Sequence, residues 1–94
     1  MKNLIELKFN STVTMLAGYD YGKQIYESQV KGNLDLFSDF TIKFPDQIKR
    51  IASSFTQGFF REMVEEIGII GIQERLKVIS SKENLKDSIL QDLL

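Results

Sequence analysis

Asp39–Ile67 reads DFTIKFPDQIKRIASSFTQGFFREMVEEI, and the fold of the chain turns on it. Phe40, Ile42 and Phe44 alternate with Thr41 and Lys43, the period-two pattern of a half-buried strand. Pro45-Asp46 ends that run, because proline has no N–H to give to a ladder. Ile48 and Ile51, around Lys49 and Arg50, resume a short extended piece, and Ala52 is small enough to let the chain turn close to its neighbours. A helix follows. Phe55, Phe59, Met63 and Ile67 recur at every fourth position, with Phe60 and Val64 beside them, which makes one wide apolar stripe. Arg61, Glu62, Glu65 and Glu66 fall mostly off the stripe. Ser54, with Gln57 three residues on, fits a capping box in which the serine accepts from the helix start and the glutamine reaches back. Gly58 lies inside this helix, where glycine costs about 1 kcal/mol relative to alanine. Close approach of the helix to the sheet beneath is the expected reason.

Upstream, Leu4, Glu6 and Lys8 alternate with Ile5, Leu7 and Phe9, a first strand. Val13–Ala17 reads equally well as a second short strand or as part of a loop. Asp20 is a good N-cap for a helix that places Gly22, Ile25, Tyr26, Gln29 and Val30 on one face, and Gly32 is its expected stop. Downstream, Gly68 is the expected C-cap of the central helix, with one or two further helical turns in Ile69–Arg75. Leu76, Val78 and Ile79 form a short strand. Ser80 and Glu83 fit a second capping box before a last helix that turns Leu85, Ile89, Leu90 and Leu93 inward. Strands that alternate with helices predict an α/β fold of βαβ units, with parallel pairs in the sheet.

Ninety-four residues make one small domain, and seven Phe with many Ile and Leu supply a modest core. The net charge of −1 gives no basic field to hold nucleic acid. With no Cys there is no disulfide and no thiol nucleophile, and with no His the commonest general base and metal ligand are missing. The charged, alternating start MKNLIELKF is unlike a signal peptide, and no apolar run approaches the ~20 residues of a membrane span. These features predict a cytoplasmic protein that is not an enzyme and carries no cofactor or metal.

The run FPDQIKRIASSFTQGFFREMVEEIG, followed by ERLKVISS, resembles the STAS-like domains of unknown function, relatives of the sulfate-transporter and anti-sigma-factor-antagonist (STAS) domain. The resemblance extends from about Gly18 to Ile89 and is most specific over Ser53–Phe60. It implies a small mixed sheet with helices packed mainly on one face, and a partner such as a histidine-kinase-like ATPase. In bacterial antagonists of this kind the same strand-to-helix junction carries Asp-Ser-Ser-Gly, and a switch kinase phosphorylates the first serine. Ser53 matches that position and Ser54 the second serine, while Ala52 replaces the aspartate and Phe55 the glycine.

Ser53, Ser54, Thr56, Gln57 and Arg61 are therefore the candidate partner-binding or phospho-acceptor residues. The plainer reading of the serines is a helix cap and a turn bond. Glu62, Glu65 and Glu66 read as a solvated face, Tyr26 as core, and Tyr19 and Tyr21 as surface. Lys2, Lys8 and Lys23 make no basic stripe, and no phosphate-binding glycine loop is present. Two further functions fit the sequence. One is a small anionic-ligand (nucleotide) module, or an enzyme accessory subunit, that uses the helix N-termini. The other is a homodimer paired along the edge of the first strand.

Overall fold

The computed structural model describes residues 2–94. The elements in chain order are β1 (Leu4–Glu6), β2 (Met15–Leu16), α1 (Tyr19–Ile25) with a π-helical continuation (Tyr26–Val30), β3 (Phe40–Lys43), β4 (Arg50–Ile51), α2 (Ser53–Phe59), α3 (Arg61–Arg75), β5 (Leu76–Ile79) and α4 (Leu85–Leu93). β3 is the middle strand of a three-stranded sheet ordered β1-β3-β5, and β2 pairs with β4 in a separate two-stranded sheet. Every pairing is parallel. The result is a mixed α/β domain, and its radius of gyration of 12.1 Å equals the ~12 Å expected of one compact unit of this length.

The alternation in β3 is realised as read. Phe40 and Ile42 are buried, and Thr41 and Lys43 are half-buried. Register carries this across the sheet: Ile5, Ile42 and Val78 share one row of the core face. Glu6, Lys43 and Ile79 share a row of the opposite face, where the Lys43 ammonium lies 3.5 Å from Glu6. Val13–Ala17 resolves into β2, and the extended piece around Ile51 becomes β4. The ladder of β1 is prolonged by a side chain. The Gln29 amide accepts from Lys8 N–H and donates to Lys8 C=O, both at 2.8 Å, as a neighbouring strand would.

The central helix is not one rod. Phe60, at φ −93° and ψ 1°, separates α2 from α3. The bend lets two consecutive bulky residues, Phe59 and Phe60, both reach the core, where successive positions of a straight helix diverge by ~100°. A second break falls at Gly68, whose φ of 72° and ψ of 168° lie in a region open essentially only to glycine. The chain is helical again beyond it to Arg75, so Gly68 acts as the stop the sequence predicts, with further turns following.

Three expected helix caps are corrected. α1 begins at Tyr19 with Gly18 as N-cap, so Asp20 lies within the first turn. α2 begins at Ser53 with Ala52 as N-cap, and Thr56 N–H already bonds to Ala52 C=O at 3.2 Å, so Ser54 is too far along to cap it. α4 is preceded by Asn84 in the left-handed conformation, while Ser80 Oγ instead accepts from Lys82 N–H at 3.0 Å in a local turn. Gly58 does meet a close neighbour, but that neighbour is α1 and not the sheet. A Cβ there would overlap the Tyr19 carbonyl oxygen.

Candidate functional site

β2 and β4 run side by side in register, Leu16 opposite Ile51, and each leads directly into a helix. The starts of α1 and α2 are therefore neighbours. Glycine lets them touch. A Cβ on Gly22 would overlap Phe55 O and lie 2.8 Å from Phe59 N, while one on Gly58 would overlap Tyr19 O. Each glycine faces the backbone of the other helix, so no side chain separates the two at the crossing.

Ser54 ties this pair together. Its Oγ accepts from the Gly18 N–H at 3.0 Å, so a hydroxyl of α2 satisfies a donor at the start of α1. Arg61, at the start of α3, makes a second tie by donating from Nη1 to the Tyr19 hydroxyl at 2.9 Å, and its Nε lies 3.4 Å from Glu65. The Tyr19 bond is the main reason its guanidinium pKa is raised. Gln57 does not reach back to its own helix start. Its amide donates to Asp92 C=O near the end of α4 at 3.3 Å. Thr56, expected to present a polar group outward, is buried at 1% exposure, with its hydroxyl 3.5 Å from Ala52 O. Ser53 is exposed.

Four of the five candidates are thus gathered on the surface. Ser53 and Gln57 lie one turn apart on α2 with Ser54 beside them, Arg61 follows just past the bend, and Tyr19, bonded to Arg61, is exposed at the edge of the same region. Next to it, a cavity of ≈ 250 Å³ opens between Gln57, Arg61 and Val64 on one side and Leu93 and Leu94 on the other. Tyr21, read as surface, is half-buried instead, with its ring 5.7 Å from Phe55 and 6.5 Å from Phe9.

A second arrangement surrounds Tyr26. Tyr26 is 5% exposed, as a core residue should be, yet its hydroxyl has no hydrogen-bond partner among the described residues. It lines a cavity of ≈ 250 Å³ with Lys31, Phe37 and Glu66. Burial first, then the carboxylates of Glu66 and Glu62, push its pKa up to about 12. Glu62 is not part of a freely solvated face. Its Oε1 accepts from Lys31 Nζ at 2.9 Å, and its Oε2 is buried without a partner. That bond is the largest cause of the raised Lys31 pKa. The signal available in the sequence was the type of residue, since a tyrosine on an apolar stripe brings a hydroxyl that needs company.

Among the described residues, no group of three or more His, Cys, Asp or Glu is placed to hold a metal, and no helix is long and apolar enough to cross a membrane. Fold and surface together define a small α/β domain whose candidate polar groups collect at two laced helix starts. No family model matches the chain, and neither a curated protein nor a solved structure does.

Proposed function

We propose that this chain is a cytoplasmic, non-catalytic regulatory domain of STAS-like kind that docks a protein partner through the start of α2. One observation carries the proposal. Ser53 and Gln57 stand exposed one turn apart on α2, with Arg61 exposed just past the bend, beside the glycine crossing and the Ser54–Gly18 bond. A preorganised surface loses little entropy on binding. The partner class follows from the resemblance to anti-sigma-factor antagonists: a histidine-kinase-like ATPase.

Ser53 is the switch position in this reading, and Ser54 is structural. The Ser54 hydroxyl is occupied by Gly18 N–H, whereas the Ser53 side chain makes no hydrogen bond among the described residues. A phosphate on Ser53 adds a charge of ~−1.5 to −2 to the docking surface without breaking a bond of the fold. The test is a pull-down from native lysate with wild type, Ser53→Asp and Ser54→Ala, with mass spectrometry of both the partners and the bait. The expected result is a partner kept by wild type and lost by Ser53→Asp, with phosphate found on Ser53. A partner held equally by wild type and Ser53→Asp, with Ser53 unmodified, refutes the switch.

A further inference from the structure

The cavity beside Tyr26 lies between the π-helical end of α1, the loop that follows it and the first half of α3. Its wall is apolar at Val30, Leu34, Leu36 and Phe37, and polar at Tyr26, Lys31, Asp35 and Glu66. The polar groups differ in what they already hold. Lys31 is paired with Glu62 at 2.9 Å, so those two charges cancel. The Asp35 carboxylate accepts from Phe37 N–H at 3.0 Å and from the Ser38 hydroxyl at 3.1 Å, which turns it into the loop while leaving its charge. Glu66 has no ion-pair partner among the described residues, and the hydroxyl of Tyr26, a residue only 5% exposed, has no hydrogen-bond partner among them. The site therefore keeps a net negative charge and two unused acceptors, Tyr26 Oη and the Glu66 carboxylate.

We infer that this cavity binds a primary alkylammonium group, with the ammonium on Glu66 and the Tyr26 hydroxyl and the alkyl chain against Leu34, Leu36 and Phe37. An ammonium brings three donors and no acceptor, which suits a site rich in acceptors. Charge-assisted bonds to a carboxylate are about twice as strong as neutral ones. Phe37 is 74% exposed at the rim, and the face of its ring can lie over a cation. The ammonium can belong to a free amine or to the tip of a lysine side chain. The cavity is separate from the proposed docking surface at Ser53, so the two ideas stand or fall independently.

The test is a titration of the full chain followed by amide chemical shifts, with n-butylammonium, n-butanol and butyrate as probes. The expected result is a saturable response to n-butylammonium at the residues around Tyr26, Phe37 and Glu66, and none to butanol or butyrate. Glu66→Gln and Tyr26→Phe are both conservative, and Glu66→Gln weakens binding roughly tenfold or more, as loss of a charged partner should. Tyr26→Phe weakens it by less. A lysine blocked at its amino and carboxyl ends separates the two sources. Binding as tight as butylammonium supports a lysine tip, and binding of butylammonium alone supports a free amine. Responses that do not saturate, that are equal for butanol, or that survive Glu66→Gln unchanged overturn the assignment.

Discussion

The starts of α1 and α2 occupy equivalent places, each following a two-residue parallel strand, yet they are built from opposite chemistry. α1 starts from Gly18, at φ 102°, and contributes bare backbone: an N–H to Ser54 and a carbonyl face at Tyr19 against Gly58. α2 starts from Ala52 in an ordinary extended conformation and contributes hydroxyls. One start is shaped by what glycine permits, the other by what serine can bond. The difference shows how a single hydroxyl, Ser54, can be spent on the neighbouring helix while the adjacent Ser53 stays free for another molecule.

The sharpest way to break this pairing is at the crossing. Gly58→Ala and Gly22→Ala each place a methyl on the partner's backbone, which cannot move aside as a flexible side chain would. Each is expected to destabilise by about 3 kcal/mol or more in denaturant titration, beyond the usual range of point substitutions. Gly68→Ala is the contrast. A Cβ there meets nothing within 4 Å, so only its backbone conformation resists. The same titration should give ~1–3 kcal/mol.

Next comes the hydroxyl. Ser54→Ala leaves Gly18 N–H without its bond and should lose ~1 kcal/mol, while Ser53→Ala should stay within ~0.5 kcal/mol of wild type. Equal losses at the two serines would erase the distinction between them. Away from the crossing, Tyr26 supplies a test by pH. Its hydroxyl keeps its proton in the fold up to about pH 12, while in the unfolded chain it ionises near its ordinary value of 10.0. The unfolded state thus binds fewer protons in between. Stability is intact below pH 10, falls from there to about pH 12, and that decline is reduced in Tyr26→Phe. Tyrosinate absorbance should show a late component that disappears in Tyr26→Phe.

Much of this architecture is legible in the residues. Alternation at Phe40–Phe44 gave β3, and the fourfold spacing of Phe55, Phe59 and Met63 gave the buried face of the helix that follows. Those signals are strong because burial is periodic. The caps were misplaced because Ser54 and Ser80 carry hydroxyls that bond wherever a donor lies near, and pattern alone does not say which donor that is. The bend at Phe60 was hidden because a stripe that includes two consecutive phenylalanines looks the same for a straight helix as for a broken one. At the candidate site, exposure of Ser53, Gln57 and Arg61 followed from their place off the apolar stripe. Thr56 was misread because a threonine on the inner face can turn its hydroxyl back to the preceding turn. The Tyr26 cavity depends on the loop through Phe37, whose path no periodicity describes.

The wholly parallel pairing has a consequence for how the chain reaches this state. Leu4 meets Thr41, Met15 meets Arg50 and Phe40 meets Leu76, so no rung of either sheet joins sequence neighbours. Among the described residues there is no hairpin to form early, and each ladder must wait for a long loop to close before it returns any energy. Folding should be slow for a chain of this size, with the α1–α2 contact as the natural nucleus because it brings β2 and β4 together at once. Gly22 and Gly58 would then govern the rate of folding as well as the stability of its product.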